Sequence, residues 1–514
     1  MPENACRHFS ADGLDWTDRR LWDQFAELCA RDGDALAVID AAGREWRREE
    51  LRALVQPLAA HLATLGVGPN MRVLVEARKE IAIVAAVLAI SSLGAIICPY
   101  GTGLSATDRG ELEKRLGHAL RVFTLPHSAD DRGVSALDFA VPDNAGARSV
   151  DPRDAETALI GFTSGTTGVP KAVMHGPAAL NYATRACAQI AGLEQGEPIL
   201  GIVPWDSAPG FTFTVHFGLS LGHPIAIVDP WSPVGALNIA EKYRCVWAIC
   251  VPTHLYSMVE AVRTGQWGGQ LSFRALAVGG SAMTPELITD AQELLGIQAL
   301  RMFGMSECMG HASTRLGDSM ERRFHADGLP FPGTHDAAFD SELRMLASGE
   351  RGQAGVRGPS LFLGYCAGLG EGSAQMTADG FLLTGDEIIC DEQGYLKVVG
   401  RIKDQIIRGG FNIDPAEVEA AILRHGSVAE VVIVGIPHPR LGEQCCAVCR
   451  MLPGEPPIDL PALQVHLGAI GLSKKKWPEY VLVVDKIEHN ANGKIDKKKM
   501  TAFACDILVS QSAH

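Results

Sequence analysis

Short apolar runs alternate along this chain with segments whose apolar positions recur every three or four residues. The runs at 72–75, 158–162, 199–203, 225–228, 247–251, 275–278 and 299–303 are rich in Val, Ile, Leu and Ala, and their length suits buried strands. Residues 178–190 and Pro285–Leu295 repeat with the period of a helix lying on a sheet. This alternation predicts an α/β protein with largely parallel sheets covered on both faces. The uncharged stretch 81–98 is long enough to raise the question of a membrane span. It contains Ser91, Ser92 and Gly94 and follows a strand-like run at 71–77. It therefore reads as a buried helix leading into a strand.

The pattern breaks at Gly400-Arg401-Ile402-Lys403-Asp404. Beyond it, helical segments at 415–424 and 460–467 and strands at 431–435, 447–451 and 480–484 are enough for a small core of their own. The expected organisation is a large N-terminal domain of stacked α/β subdomains over 1–399, a connection at 400–404 and a small α+β domain over 405–514. The last basic stretch, Lys494 to Lys499, reads as solvated. No fixed-period repeat or low-complexity segment interrupts the chain.

Composition narrows the function. A chain of 514 residues, 47% apolar and 21% charged, has the balance of a globular protein with two or three domains. A formal charge of −14 argues against nucleic acid or an anionic membrane as partner. Residues 1–15 have no apolar core of a secretory signal. Thirteen cysteines, an odd number scattered through apolar runs, fit reduced thiols and a cytoplasmic location. Cys445, Cys446 and Cys449 lie in a run that alternates like a strand and lack a second ligand pair at zinc spacing, so a metal site is not expected.

The chemistry starts at Thr163-Ser164-Gly165-Thr166-Thr167-Gly168-Val169-Pro170-Lys171, directly after an apolar strand. Glycines let the backbone turn tightly with its N–H groups inward, and hydroxyls with an ammonium complete a cage for oxyanions. Such a loop suits the β- and γ-phosphates of a nucleotide. No Gly-Lys-Ser/Thr closes it, so it is not a Walker loop.

Further motifs follow in order: Phe303-Gly304-Met305-Ser306-Glu307, Thr384-Gly385-Asp386, Gly400 to Asp404, and Asn492-Gly493-Lys494. With these the chain resembles the adenylate-forming (ANL) superfamily of acyl-CoA synthetases, luciferases and peptide-synthetase adenylation domains. The wording around Phe324-His325, Asp327-Gly328, Arg408-Gly409-Gly410 and Pro437 to Glu443 is most similar to medium-chain and alicyclic acyl-CoA ligases. The resemblance implies activation of a carboxylic acid by ATP and Mg²⁺ as an acyl-adenylate, then transfer to a thiol, either CoA or the phosphopantetheine of a separate carrier protein. It implies that Lys494 bridges carboxylate and α-phosphate and that Glu307 holds magnesium. Thr163 to Gly168 with Lys171 would meet the phosphates, Asp386 the ribose with Arg401 beside it, and Gly280, Ser281, Phe303, Gly304, Met305 and Ser306 the adenine side. The small domain would be mobile about Lys403, and Gly409 and Gly410 would line a thiol tunnel. Oligomeric state stays open, a homodimer included.

Trp205, Asp206, Ser207, Phe211, Phe213, His254 and Cys308 are the expected acyl-pocket residues. Ser207 stands where many family ligases carry a histidine, which leaves the acceptor open between CoA and a carrier protein. An acidic residue such as Asp206 is reminiscent of amino-acid-activating relatives, although it could equally meet a backbone N–H or solvent. His175, His216 and His254 are expected to pack or line the pocket rather than catalyse. Gly101-Thr102-Gly103-Leu104-Ser105-Ala106 imitates a dinucleotide fingerprint, but no acidic residue ends a following strand at the right distance.

Overall fold

The computed structural model describes residues 14–117, 119–124, 130, 134–140, 151–163, 171–281, 283–366, 374–409, 411–489 and 495–512. By packing, the chain forms two compact units: Met1–His335 with Val356–Leu382, and Asp336–Gly355 with Leu383–His514.

The first unit holds two sheets. One has seven strands, in the order Gly364–Tyr365, Lys171–His175, Leu159–Thr163, Ile96–Tyr100, Arg72–Glu76, Leu120–Thr124 and Leu137–Ala140. The other has nine, in the order Leu329–Pro330, Cys308–Ser313, Ala299–Met305, Ala275–Gly279, Trp247–Cys250, Ile199–Gly201, Ile225–Ile227, Leu36–Ile39 and Glu45–Arg47. The inner strands of both are parallel, and antiparallel pairs lie toward the edges.

Residues 81–98 resolve into the helix Ile81–Ser92 and the strand Ile96–Tyr100. Ile81 through Ser91 are all buried, because this helix contributes to one core shared with side chains of both sheets, Val73, Val75 and Ile97 from one and Ile199, Ile225 and Trp247 from the other. A helix covered on every side needs no polar face, which explains the uninterrupted apolar run. The outer face of the nine-stranded sheet packs on Pro233–Lys242, Pro252–Arg263 and Pro285–Leu295. No described helix is long and apolar enough to cross a membrane.

The second unit combines a four-stranded sheet, His335–Phe339, Arg351–Arg357, Leu382–Cys390 and Leu396–Arg401, with a five-stranded one built on the pair Val428–His438 and Gly442–Met451. Cys445 and Cys449 face a core with the helices Pro415–Leu423 and Leu460–Ala469, while Cys446 faces the helix Lys497–Ser512 across the sheet. Strand alternation therefore separates Cys446 from the other two. No described group of His, Cys, Asp and Glu could hold a metal by itself.

Two expectations change here. Residues 336–355 and 383–399 pack with the C-terminal unit, so packing divides the chain earlier than the break at 400–404. The basic stretch after Lys494 is not simply solvated, because Lys497 opens a helix and its ammonium lies 3.8 Å from Asp404 and 3.7 Å from Glu419.

Candidate active site

Leu159–Thr163 and Lys171–His175 run antiparallel, with Thr163 opposite Lys171 in register. Ser164, Gly165, Thr166, Thr167 and Gly168 lie outside the described residues, as do Gly410 and Lys494. Next to Lys171–His175 lies the strand Gly364–Tyr365, with Tyr365 opposite Val173. The Lys171 ammonium sits 4.7 Å above the Tyr365 ring, an attractive placement of a cation over a π face.

Tyr365 was not singled out from sequence, yet it makes the central contact. Its hydroxyl donates to Glu307 Oε1 at 2.6 Å. Burial, followed by this bond to a carboxylate, pushes the phenol well above its ordinary range. Glu307 is itself buried, in the turn between Ala299–Met305 and Cys308–Ser313. That turn is pinned twice: His175 Nε2 donates to the Ser306 carbonyl at 2.7 Å, and the Phe362 N–H donates to the Glu307 carbonyl at 2.9 Å. Replacing Tyr365 with Phe removes a charge-assisted bond worth about 1.5–3 kcal/mol. The expected result is a roughly tenfold or greater loss of kcat/KM for ATP, measured by pyrophosphate release over a magnesium titration. An unchanged value would separate Tyr365 from Glu307 function.

Gly280, Ser281 and Gly304 are exposed, at or just past the carboxyl ends of the adjacent parallel strands Ala275–Gly279 and Ala299–Met305. Crevices of open α/β sheets form at such ends. Phe303 lies half-buried with its ring 4.5 Å from His311. Farther along the same edge, His254 is at the start of Pro252–Arg263, with its ring edge-on to Trp231 at 4.4 Å. Burial pushes His254 down to about 4.

The other expected pocket residues divide sharply. Trp205, Phe211 and Phe213 are 2–4% exposed and belong to the core between the sheets. Cys308 is fully buried with Sγ 3.2 Å from Ser360 Oγ. The Ser207 hydroxyl is committed locally: it donates to the Pro204 carbonyl at 2.7 Å and accepts from the Gly210 N–H at 3.1 Å, capping a helical turn. Asp206, between Trp205 and Ser207, stays half-buried.

His175 and His216 are buried, and burial pushes them down to about 4 and about 3. His216 Nε2 donates to Asn181 Oδ1 at 2.8 Å. Both stay neutral in the fold, while the unfolded chain takes up their protons below about pH 6.5. Their stabilising effect is therefore complete above that pH and is lost as pH falls toward 4, each at about 1.4 kcal/mol per pH unit. Urea midpoints are expected to drop over this window, and His216→Gln to flatten the slope by about one proton. A midpoint independent of pH there would contradict the burial of neutral imidazoles.

In the second unit, Asp386 and Arg401 are opposite each other on paired strands, and Arg401 Nε donates to Asp386 Oδ1 at 2.9 Å. Asp386 is buried and Arg401 half exposed. Gly385, inside the strand Leu382–Cys390, has φ +78°, a conformation that glycine adopts without steric cost, and the hydroxyl of its neighbour Thr384 accepts the Asp386 N–H at 3.1 Å. Lys403 lies in the short helical turn Ile402–Asp404. Gly409, at φ +58°, donates its N–H to the Leu441 carbonyl at 2.7 Å.

Comparison with known proteins places this arrangement. Residues 25–366 match the AMP-binding enzyme family and residues 417–494 its C-terminal domain. Enterobactin synthase component E of Escherichia coli is 30% identical over 97% of this chain and 97% of its own length. The 3-(7a-methyl-1,5-dioxo-octahydro-1H-inden-4-yl)propanoyl:CoA ligase of Mycobacterium tuberculosis is 30% identical over 91% of this chain and 95% of its own. Among solved structures, ATP-bound MatB from Rhodopseudomonas palustris superposes with a TM-score of 0.81 at 24% identity, covering 95% of this chain and 99% of that one. The loop motif in the sequence, the buried carboxylate held by Tyr365 and the matches along nearly the whole chain agree: this protein belongs to the AMP-binding enzyme family and is an adenylate-forming enzyme.

Proposed function

We propose that the enzyme is an acyl-CoA ligase for a small, medium-sized or alicyclic carboxylic acid. A carboxylate oxygen attacks the α-phosphorus of ATP, the bond to the β-phosphate breaks, and pyrophosphate leaves. The thiol sulfur of CoA then attacks the acyl carbon, its proton is lost to solvent, and AMP departs. The observation that carries the reading is the set Lys171, Tyr365 and Glu307, a cation and a carboxylate joined through one tyrosine, with Lys171 the last residue of the phosphate-type motif.

Glu307 suits a magnesium ion shared with a nucleotide, because such an ion takes one or two carboxylates from the protein and its other ligands from phosphate and water. Tyr365 fixes one oxygen of that carboxylate and so sets its direction. A bound magnesium would neutralise phosphate charge during the displacement. Lys171 and Lys494 supply further fixed positive charge where the phosphoryl oxygens become more negative. Asp386, held by Arg401, accepts hydrogen bonds from the ribose hydroxyls. Gly280, Ser281 and Phe303 flank the adenine.

A second reading is transfer to a carrier protein. The full-length similarity to enterobactin synthase component E and Ser207 in place of the family histidine favour it. The deciding experiment incubates the protein with ATP, Mg²⁺ and a panel of aliphatic, alicyclic, aromatic and amino acids, with and without CoA, and identifies products by mass spectrometry. An acyl-CoA product supports the ligase. Acyl-adenylate that persists unchanged when CoA is added would instead assign the acceptor to a carrier. Lys403→Pro tests the two-step order, since proline fixes φ at a position where the family turns. Adenylation is expected to continue and thioester formation to stop.

A further inference from the structure

The strand Gly364–Tyr365 is the described edge of the seven-stranded sheet and only two residues long. Around it the Leu363 N–H donates to the Met174 carbonyl at 2.8 Å and the Cys366 N–H to the Ala172 carbonyl at 2.9 Å. An edge strand leaves backbone groups on its outer side without a ladder partner. Here two carbonyls of the segment go to one side chain. The Arg153 guanidinium donates to the Tyr365 carbonyl from Nη2 at 2.9 Å and to the Leu363 carbonyl from Nη1 at 3.4 Å. It is held in turn by Asp151, with Nε 2.8 Å from Oδ1 and Nη2 2.5 Å from Oδ2. Such a two-point pair fixes the plane of the guanidinium as well as its place.

The base of this brace is firm. Asp151 is buried, and its Oδ1 also accepts the Arg153 N–H at 3.1 Å, opening the helical turn Pro152–Glu156. Asp154 in the same turn is bonded twice by Arg72 in the core. Just beyond, Thr157 Oγ1 donates to the Arg153 carbonyl at 2.8 Å and the Ala158 N–H to the His175 carbonyl at 2.8 Å. The turn thus leads straight into the strand Leu159–Thr163 and, through Arg153, grips the segment that carries Tyr365. What is held there is sensitive to small shifts. The Tyr365 hydroxyl stands 2.6 Å from Glu307 Oε1, and a slide of the edge strand by roughly 1 Å would take it out of hydrogen-bond range.

We propose that Arg153 is a positioning residue for the nucleotide's magnesium ion: by clamping the carbonyls of Leu363 and Tyr365 it sets where the Tyr365 hydroxyl stands, and through it the direction of the Glu307 carboxylate. This rests on the reading of Glu307 as the magnesium carboxylate. The effect of Arg153 passes through Tyr365, whereas a guanidinium that met a phosphate directly would act whatever residue stood at 365. Groups that orient a metal ligand commonly change metal affinity by roughly 10–100-fold, and one contact farther out the lower end is expected.

The test measures ATP binding by calorimetry without any acid substrate, so that no chemistry occurs, once with saturating Mg²⁺ and once with EDTA. Arg153→Met and Tyr365→Phe are each expected to weaken binding of Mg²⁺–ATP by roughly fivefold or more, and to leave metal-free ATP within about twofold of the wild type. The double variant should bind Mg²⁺–ATP no more than about twofold worse than Tyr365→Phe alone, because two changes along one line of contacts do not add. Arg153→Lys, which keeps a cation against Asp151 and one carbonyl, should recover part of the loss. Where Arg153→Met does not fold, Arg153→Gln with Asp151→Asn removes both charges together and carries the same prediction. Equal weakening with and without the metal, fold-changes that multiply in the double variant, or Mg²⁺–ATP binding unmoved by the Arg153 variants while Tyr365→Phe weakens it would overturn the positioning role alone. Binding unmoved by Tyr365→Phe would overturn it together with the Tyr365–Glu307 link, and binding unmoved by Glu307→Gln would overturn the magnesium reading itself.

Discussion

Lys494→Ala is expected to slow adenylate formation by roughly a hundredfold or more, on the order of 3 kcal/mol of barrier. The carboxylate and the α-phosphate are both anionic, so their approach builds charge that water would otherwise have to reorganise to stabilise. A fixed ammonium meets that charge without reorganisation. The second step needs no such cation, because the adenylate's carbonyl is already activated. Supplied acyl-adenylate should therefore react with CoA at close to the wild-type rate. The check is pyrophosphate release beside single-turnover conversion of synthetic adenylate. Pyrophosphate release at full rate would remove Lys494 from the chemistry; equal loss of both steps would mean that the substitution damages the fold.

The second large effect concerns stability. Arg72 donates to Asp154 Oδ1 from Nε at 3.2 Å and from Nη2 at 2.9 Å, and both side chains are less than 10% exposed. Arg72 Nη1 is buried without a hydrogen-bond partner among the described residues. Asp154→Ala would leave a cation in the core with no counter-charge, and breaking such a pair costs about 3–5 kcal/mol. That is a large share of the ~5–15 kcal/mol that holds a typical fold together. The paired replacement Arg72→Met with Asp154→Leu should recover most of the loss, since no unpaired charge remains. Urea denaturation of the single and double variants measures both. A loss below about 1 kcal/mol for Asp154→Ala would show that the guanidinium finds water or another acceptor.

The elements legible in sequence were those whose environment is uniform. The strand Ala275–Gly279 and the helix Pro285–Leu295 fall where their apolar patterns put them, because each is buried on the side its pattern marks. The helix Lys497–Ser512 was not legible. It opens with lysines, and its apolar stripe acquires meaning only against Val432, Val434, Cys446 and Val448 across the sheet. Nor was the packing of 336–355 with the C-terminal unit, since cross-strand partners leave no trace in local period.

By itself the sequence determined the class of protein and the contiguous part of its chemistry. The alternation of strands and helices, the loop from Thr163 to Lys171 and the later short motifs are local in the chain, and local backbone geometry dictates their residue types. Only the tertiary structure decided which side chains support them. Tyr365 reaches Glu307 across 58 positions, and Arg153 reaches Tyr365 across 212. Neither has a neighbour in sequence that announces its partner. A hydrogen bond or a counter-charge depends on distances of a few ångströms and on exclusion of water, and folding alone brings such distant positions that close.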